Sequence, residues 1–251
     1  MDEIALLTDL HRGQVRQGPG GDAETRLALT LSGLANAADL RIADIGCGTG
    51  ASSLILAKEL DAAITAVDFL PEFLTELEQR SQEAGVAGRI KTLCASMETL
   101  PFEAASLDAI WSEGAIYNIG FETGVRAWRR HLKPGGILAV SELTWLTRER
   151  PDELDEHWRR EYPEVATASA KLKLLETHGY TPVGYFPLPQ TCWLQNYYRP
   201  LAAQFDAFLS RQSHSPAARA IVDAEQAEIN LYERFSDFVS YGYYVARKLQ
   251  D

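Results

Sequence analysis

The stretch Asp44-Ile45-Gly46-Cys47-Gly48-Thr49-Gly50 decides the fold. It follows a short apolar run, Arg41 to Ile45, that reads as a buried strand. It precedes Ala51 to Leu60, where Leu54, Ile55 and Leu60 supply the inward face of a helix. Glycine in a strand-to-helix turn lets a ligand approach the backbone, because a Cβ would fill that space. The helix that starts next offers unpaired N–H groups and a positive dipole end. Gly46, Gly48 and Gly50 are spaced G-x-G-x-G; a dinucleotide turn wants G-x-G-x-x-G, and Ala51 fits only its relaxed form. The turn alone therefore implies a nucleotide-like ligand above a parallel sheet.

Outward from the turn, strands alternate with helices. Ala62 to Val67 reads as a second strand ending at Asp68, some twenty residues past the turn, where a carboxylate can accept hydrogen bonds from both hydroxyls of a ribose. Pro71 opens the next helix, which carries Phe73, Leu74 and Leu77. Further strands are expected at Arg89–Cys94, Leu107–Ser112 and Ile137–Ser141. A helix from Phe121 to Leu132, with Val125 and Trp128 on its stripe, ends at Lys133-Pro134-Gly135-Gly136. This alternation implies a parallel sheet wound on both faces. Ahead of it, Ile4, Leu6, Leu7 and Leu10 recur at helical spacing, and Asp22 caps a second helix after the break at Gln17–Gly21. Beyond it, helices are expected from Pro151 and over Ala168–His178, and strands at Tyr180–Leu188 and Tyr241–Arg247. About fifty helical residues separate the last two strands, far more than a hairpin needs, and read as an inserted cap.

Composition narrows the classes. The 251 residues are 46% hydrophobic and 24% charged, the profile of a globular protein. No apolar run approaches the roughly 20 residues of a membrane span, and Met1-Asp2-Glu3-Ile4 lacks the basic start of a signal peptide. Cys47, Cys94 and Cys192 show neither pairing nor metal spacing, so a reducing cytoplasm is expected, with no disulfide framework and no metal site. A net charge of −11 makes a phosphate-backbone partner a poor fit, and Arg129-Arg130 and Arg159-Arg160 are short clusters on solvated helix faces. A small molecule is favoured over nucleic acid or membrane as partner. The sequence leaves the oligomeric state open.

Two further segments carry a family resemblance: Leu100-Pro101-Phe102 before the fourth strand, and Leu132-Lys133-Pro134-Gly135-Gly136 before the fifth. With Asp44–Gly50 and Asp68 they resemble the ordered motifs of class I S-adenosylmethionine-dependent methyltransferases over about residues 41 to 142. Trp111 to Phe121 resembles a subgroup of largely uncharacterised bacterial and archaeal small-molecule methyltransferases. The resemblance implies an α/β fold, a doubly wound, seven-stranded, mostly parallel Rossmann-like sheet with its last strand antiparallel. One domain over 1–251 is expected: N-terminal helices in 1–36, a cofactor-binding core in 37–144, and helical cap segments in 145–178 and 189–236. S-adenosyl-L-methionine is the implied cofactor. Gly46 and Gly48, with Asp44 and Gly50, would pass close to its methionine and ribose portions. Asp68 would hold the ribose hydroxyls, Phe69 would lie along the adenine, and Met97 and Glu98 would line the adenine pocket. Ser112 and Glu113 would face the methionine end. Many relatives carry Asp where Ser96 stands; Ser96 is a weaker acceptor, so the adenine amino contact is expected to pass to Glu98 or a backbone carbonyl.

Methyl transfer from a sulfonium is an in-line displacement in which the protein aligns donor and acceptor and excludes water. A base is needed only where the acceptor must lose a proton. Glu113, Tyr117, Glu142 and His157 are the candidates, Glu113 and Glu142 because they follow strands four and five; His157 also reads as a solvated surface histidine. Cys47 reads as a small buried residue, not a nucleophile. Tyr117, Trp145, Trp158, Tyr162, Trp193, Tyr197 and Tyr198 either line an acceptor pocket or fill the core between cap and sheet. A nicotinamide-dependent oxidoreductase and a non-catalytic cofactor-binding protein of the same fold are the alternatives. The G-x-G-x-G spacing and Leu132–Gly136 disfavour the first, and the intact cofactor motifs disfavour the second.

Overall fold

In a computed structural model, residues 3–250 are described; Met1, Asp2 and Asp251, which fall within the expected 1–36 and 1–251 spans, lie outside them. The strands are β1 (Leu40–Ile45), β2 (Ala62–Asp68), β3 (Ile90–Cys94), β4 (Leu107–Glu113), β5 (Leu132–Trp145), β6 (Ala166–Thr167), β7 (Tyr180–Pro187) and β8 (Val239–Lys248). They form one sheet in the order β3-β2-β1-β4-β5-β8-β7, with the two-residue β6 paired to β5. Pairs β1–β2, β2–β3, β1–β4 and β4–β5 are parallel, and β8 runs antiparallel to both neighbours. The expected seven-stranded sheet is present, with the short β6 added to it.

The strand order reverses between β1 and β4, the crevice where ligands settle in open α/β sheets. β5 is far longer than Ile137–Ser141. Leu132 pairs with Leu107, and the register then shifts so that Ala109 pairs with Ile137. The Lys133–Gly136 breaker is absorbed as a bulge rather than a chain stop, and Gly136 suits it because a Cβ there would meet the Lys133 carbonyl at 2.9 Å.

The helices are α1 (Glu3–His11), α2 (Asp22–Ser32), α3 (Ala51–Glu59), α4 (Pro71–Glu83), α5 (Phe121–Trp128), α6 (Asp152–Glu161), α7 (Ala168–Thr177), α8 (Gln190–Trp193), α9 (Arg199–Ala202), α10 (Phe205–Arg211) and α11 (Pro216–Phe235). Strand residues alternate between two cores. Ala43, Ile45, Ile110, Leu138 and Val140 pack with Phe121, Val125 and Trp128 of α5 and Leu175 of α7. Ile42, Ile64, Ala109 and Ala139 face α3 and α4, and that core continues into Trp193, Tyr198, Phe208 and Tyr232 of the C-terminal helices. Residues 168–177, grouped with the cap from sequence, thus pack on the sheet as α7, because Leu172, Leu174 and Leu175 match the α5 stripe. A π-turn over Leu194–Tyr198 joins α8 to α9. It sets the Tyr198 ring 5.7 Å from that of Trp193, and Trp193 and Tyr197 line a cavity above the sheet.

Candidate active site

A cavity of about 1060 Å³ opens above the carboxyl ends of β1, β2 and β4. Its first half is built by the glycine turn. Gly46 and Gly48 have φ of +70° and +54°, a region that penalises any side chain. A Cβ on Gly46 would stand 2.3 Å from Ala115 Cβ, and one on Gly48 would stand 2.2 Å from Gln17 Oε1. Asp68 is aimed at the turn: its Oδ2 accepts the Gly48 N–H at 2.8 Å and its Oδ1 accepts the Leu70 N–H at 3.0 Å. Each oxygen keeps a second lone pair for a ligand hydroxyl. Burial raises the Asp68 pKa, and the backbone N–H groups of Leu70, Gly48 and Phe69 work against that shift. Phe69 is 66% exposed and lines the cavity, offering a flat apolar face. Ser96, Met97 and Glu98 complete this wall; Ser96 Oγ already accepts the Glu98 N–H at 3.2 Å, and the Met97 carbonyl accepts Trp128 Nε1 at 3.0 Å. Turn, paired carboxylate, apolar face and polar rim fit an adenosine with an amino-acid tail.

Other sequence candidates lie beneath this surface. Asp44 is fully buried under the turn; its Oδ2 accepts the Ser52 and Ser53 hydroxyls at 2.7 and 2.6 Å, and its Oδ1 has no partner. Gly50 packs against Leu77 of α4 rather than the cavity. Ser112 is fully buried with an unpartnered Oγ. Glu142 is also buried, its Oε1 accepting the Leu143 N–H at 2.6 Å, and it does not reach the cavity wall. Burial raises the Glu142 pKa against the pull of Lys171, and lowers that of Lys171. These four residues shape the site from below. Cys47 lines the cavity, but burial first, with Asp44 and Asp68, raises its thiol well above the ordinary value, which suits a wall and not a nucleophile.

Glu113 reaches the cavity inside a dense network. Its Oε2 accepts Arg16 Nη1 at 2.9 Å, while its Oε1 accepts Thr25 Oγ1 at 2.7 Å, Trp111 Nε1 at 3.0 Å and Tyr243 OH at 3.0 Å. Both oxygens are engaged, so Glu113 positions its neighbours and is poorly placed to take a proton. Arg16 also donates to Asp22 at 3.2 Å. Burial works against the Arg16 charge, yet Glu113 and Asp22 outweigh it and hold the pKa above the ordinary value. Next to it, Gln17 Oε1 accepts the Thr49 N–H at 2.9 Å and Gln17 Nε2 donates to Thr49 Oγ1 at 3.1 Å. Arg80 Nη1 donates to Thr49 Oγ1 and to the Thr49 carbonyl, both at 2.7 Å. Residues 15–20 therefore strap the N-terminal helices to the glycine turn. Sequence reading missed Arg16 and Gln17 because only a glycine break marked that segment.

The second half of the cavity is a chamber between α1, α6, α8 and α11. Trp158, Tyr162, Trp193, Tyr197, Tyr117 and Tyr241 line it, with Ile4 and Leu7. Five of the seven aromatic residues singled out in the sequence are thus cavity wall; Trp145 and Tyr198 sit in the core. Tyr117 crosses Tyr162 edge-on at 6.1 Å. Burial raises the Tyr117 pKa, helped by Glu228 and Glu142, so its phenol stays protonated. His157 lines the chamber as well, rather than facing only solvent, and burial lowers its pKa.

The buried Asp44 gives a pH prediction. Burial pushes its pKa up to about 7, with the Ser53 and Ser52 hydroxyls opposing. A carboxyl with a folded pKa above its unfolded value binds more protons when folded. It therefore destabilises the fold progressively as pH rises from about 4 to about 7, and by a constant amount above that. Asp44→Asn removes this loss. Its stability relative to the native chain should improve by roughly 2–4 kcal/mol between pH 4 and pH 7.5, as the shift implies. Urea unfolding at the two pH values measures it; a difference independent of pH would contradict the assignment.

Residues 43–140 match the model of the family described as "Methyltransferase domain". The chain is 30% identical over 151 residues to the O-methyltransferase rstn1 of Aspergillus nomiae, a match covering 55% of this chain and 67% of that one. It is 28% identical over 160 residues to the 27-O-demethylrifamycin SV methyltransferase of Amycolatopsis mediterranei, covering 62% of this chain and 58% of that protein. The match thus spans about three fifths to two thirds of these relatives' length. Among solved structures, a methyltransferase from Geobacter sulfurreducens in complex with S-adenosyl-L-homocysteine superposes with a TM-score of 0.81 at 18% identity, covering 98% of this chain and 97% of that one. The shared fold, the glycine turn with its facing carboxylate, and these relatives together make the chain a member of the class I S-adenosylmethionine-dependent methyltransferases.

Proposed function

We propose that this protein transfers a methyl group to a small-molecule acceptor held in the aromatic chamber. The observation that carries the reading is the continuity of the cavity: the half lined by Gly46, Asp68 and Met97 runs directly into the half lined by Tyr117, Trp158 and Tyr197. S-adenosylmethionine supplies an activated methyl on a sulfonium. The chain's task is then to align the acceptor for in-line attack and keep water from the reacting atoms, which an aromatic-walled chamber serves. Asp68 would hold the ribose hydroxyls, Phe69 and Met97 would flank the adenine, and the Arg16–Glu113 pair would sit at the amino-acid end. Tyr117, protonated and on the wall between the halves, would donate to the acceptor's heteroatom and orient it. The curated relatives' small-molecule O-methyltransferase names support a small acceptor for this chain too.

Calorimetric titration with S-adenosylhomocysteine and with NAD tests the cofactor half. S-adenosylhomocysteine should bind and NAD should not; the reverse would overturn the reading. Asp68→Ala should weaken S-adenosylhomocysteine binding by about tenfold or more, the loss of charge-assisted hydrogen bonds. Unchanged affinity would remove Asp68 from the site.

A further inference from the structure

The chamber's charge balance says more about the acceptor, given that the cavity is the methyl-transfer site. Three carboxylates line it: Glu161, Glu225 and Glu228. Two have a basic partner within reach. Arg160 Nε lies 2.8 Å from Glu161 Oε1, and His11 Nε2 lies 3.6 Å from Glu225 Oε1. Glu228 has none. Among the described residues its hydrogen-bond partner is Tyr198, whose neutral hydroxyl donates to Oε1 at 2.8 Å; no hydrogen bond among them engages Oε2, and the residue lines the cavity. Around it stand electron-rich rings: Tyr117, Tyr197 and Tyr241, each of whose hydroxyls is pushed up by burial and by the charge of Glu228. These rings are the chamber wall itself.

Such an arrangement is electrostatically incomplete. A carboxylate withdrawn from water without an ion pair is costly, and burial accordingly pushes the Glu228 pKa up to about 7, with Glu225 and Glu161 adding to the shift and the Tyr198 hydrogen bond and the more distant His11 opposing it. Aromatic faces attract cations rather than anions. An anionic acceptor would meet three carboxylates, and a neutral apolar one would leave Glu228 uncompensated. A protonated amine completes the set.

We propose that the acceptor carries a basic amine on an apolar body, with the ammonium paired to Glu228 among the chamber tyrosines and the body packed against Trp158, Trp193 and Leu7. Glu228 is then a specificity-determining residue, acting on acceptor choice and not on the cofactor.

Matched probes test this: 2-phenylethylamine against 2-phenylethanol, which differ only in the charged group, titrated by calorimetry into the full-length protein saturated with S-adenosylhomocysteine. The amine is expected to bind about tenfold or more tightly than the alcohol, and Glu228→Gln should abolish the difference. In the same variant, S-adenosylhomocysteine affinity should stay near that of the native chain and the unfolding temperature should not fall, which shows that the fold and cofactor half are intact. Equal binding of the two probes, tighter binding of the alcohol, no amine binding at millimolar concentration, or an amine preference that survives Glu228→Gln would each overturn the proposal. If S-adenosylhomocysteine itself fails to bind the native chain, the methyltransferase reading fails instead, and the two failures are distinct.

Discussion

Arg16→Met is expected to destabilise the protein by about 3–5 kcal/mol, because it leaves the Glu113 carboxylate buried without its cation. The two side chains are only 8% and 9% exposed, so solvent cannot take over the role of the missing partner. The loss should also reach the ligand site. Arg16 anchors the strap whose next residue, Gln17, holds Thr49 at the glycine turn, and S-adenosylhomocysteine affinity should fall together with stability. Arg16→Met/Glu113→Gln provides the control. Removing both charges restores neutrality, and the double variant should be more stable than Arg16→Met alone, with a coupling energy of about 1 kcal/mol or more. Urea unfolding of the four proteins measures it. Additive losses would mean that the ion pair is not what holds the strap.

Gly46→Ala should be the most damaging single-methyl change for cofactor binding. Two physical costs combine there. The φ of +70° penalises any side chain by about 1–2 kcal/mol, and the new Cβ would stand 2.3 Å from Ala115 Cβ, an overpacking cost of about 1–3 kcal/mol. The turn can relieve that clash only by shifting, and it forms the cavity wall next to Met97 and Asp68. S-adenosylhomocysteine binding should weaken by about a hundredfold, close to the free energy of that strain. Ala115→Gly in the same chain removes the clash but not the backbone strain. Gly46→Ala/Ala115→Gly should therefore recover part of the stability and part of the affinity. Full recovery would show that sterics alone required glycine, and no recovery that conformation alone did. Native affinity in Gly46→Ala would show that the turn does not contact the cofactor.

Cofactor chemistry was largely legible in the chain because its determinants are local. A buried strand, a glycine turn and a helix follow one another within about twenty residues, so spacing puts Gly46, Gly48 and Asp68 at the carboxyl edge of the first two strands, where the structure has them. Strand and helix identities were legible for the same reason, since each rests on a periodicity of two or 3.6 residues. Errors arose where tertiary pairing overrode local signals. Lys133–Gly136 reads as a stop, yet Leu132 is held in β5 by Leu107 across the sheet. The helix at 168–177 reads as part of the cap, yet its apolar face matches α5.

The opening motif, Asp44 to Gly50, by itself determined that this protein would build a strand–turn–helix with room for a nucleotide-like ligand. Which residues face that space was decided by the tertiary structure. Asp44 is turned under the loop toward Ser52 and Ser53, while Gln17, 32 residues before Thr49, closes over it. Arg16 meets Glu113 across 97 residues, and Glu228 enters the chamber from a helix that follows the entire cofactor core. Neither pairing leaves a periodic or compositional trace. Charge partnership depends on distance in space, and only the folded chain sets that distance.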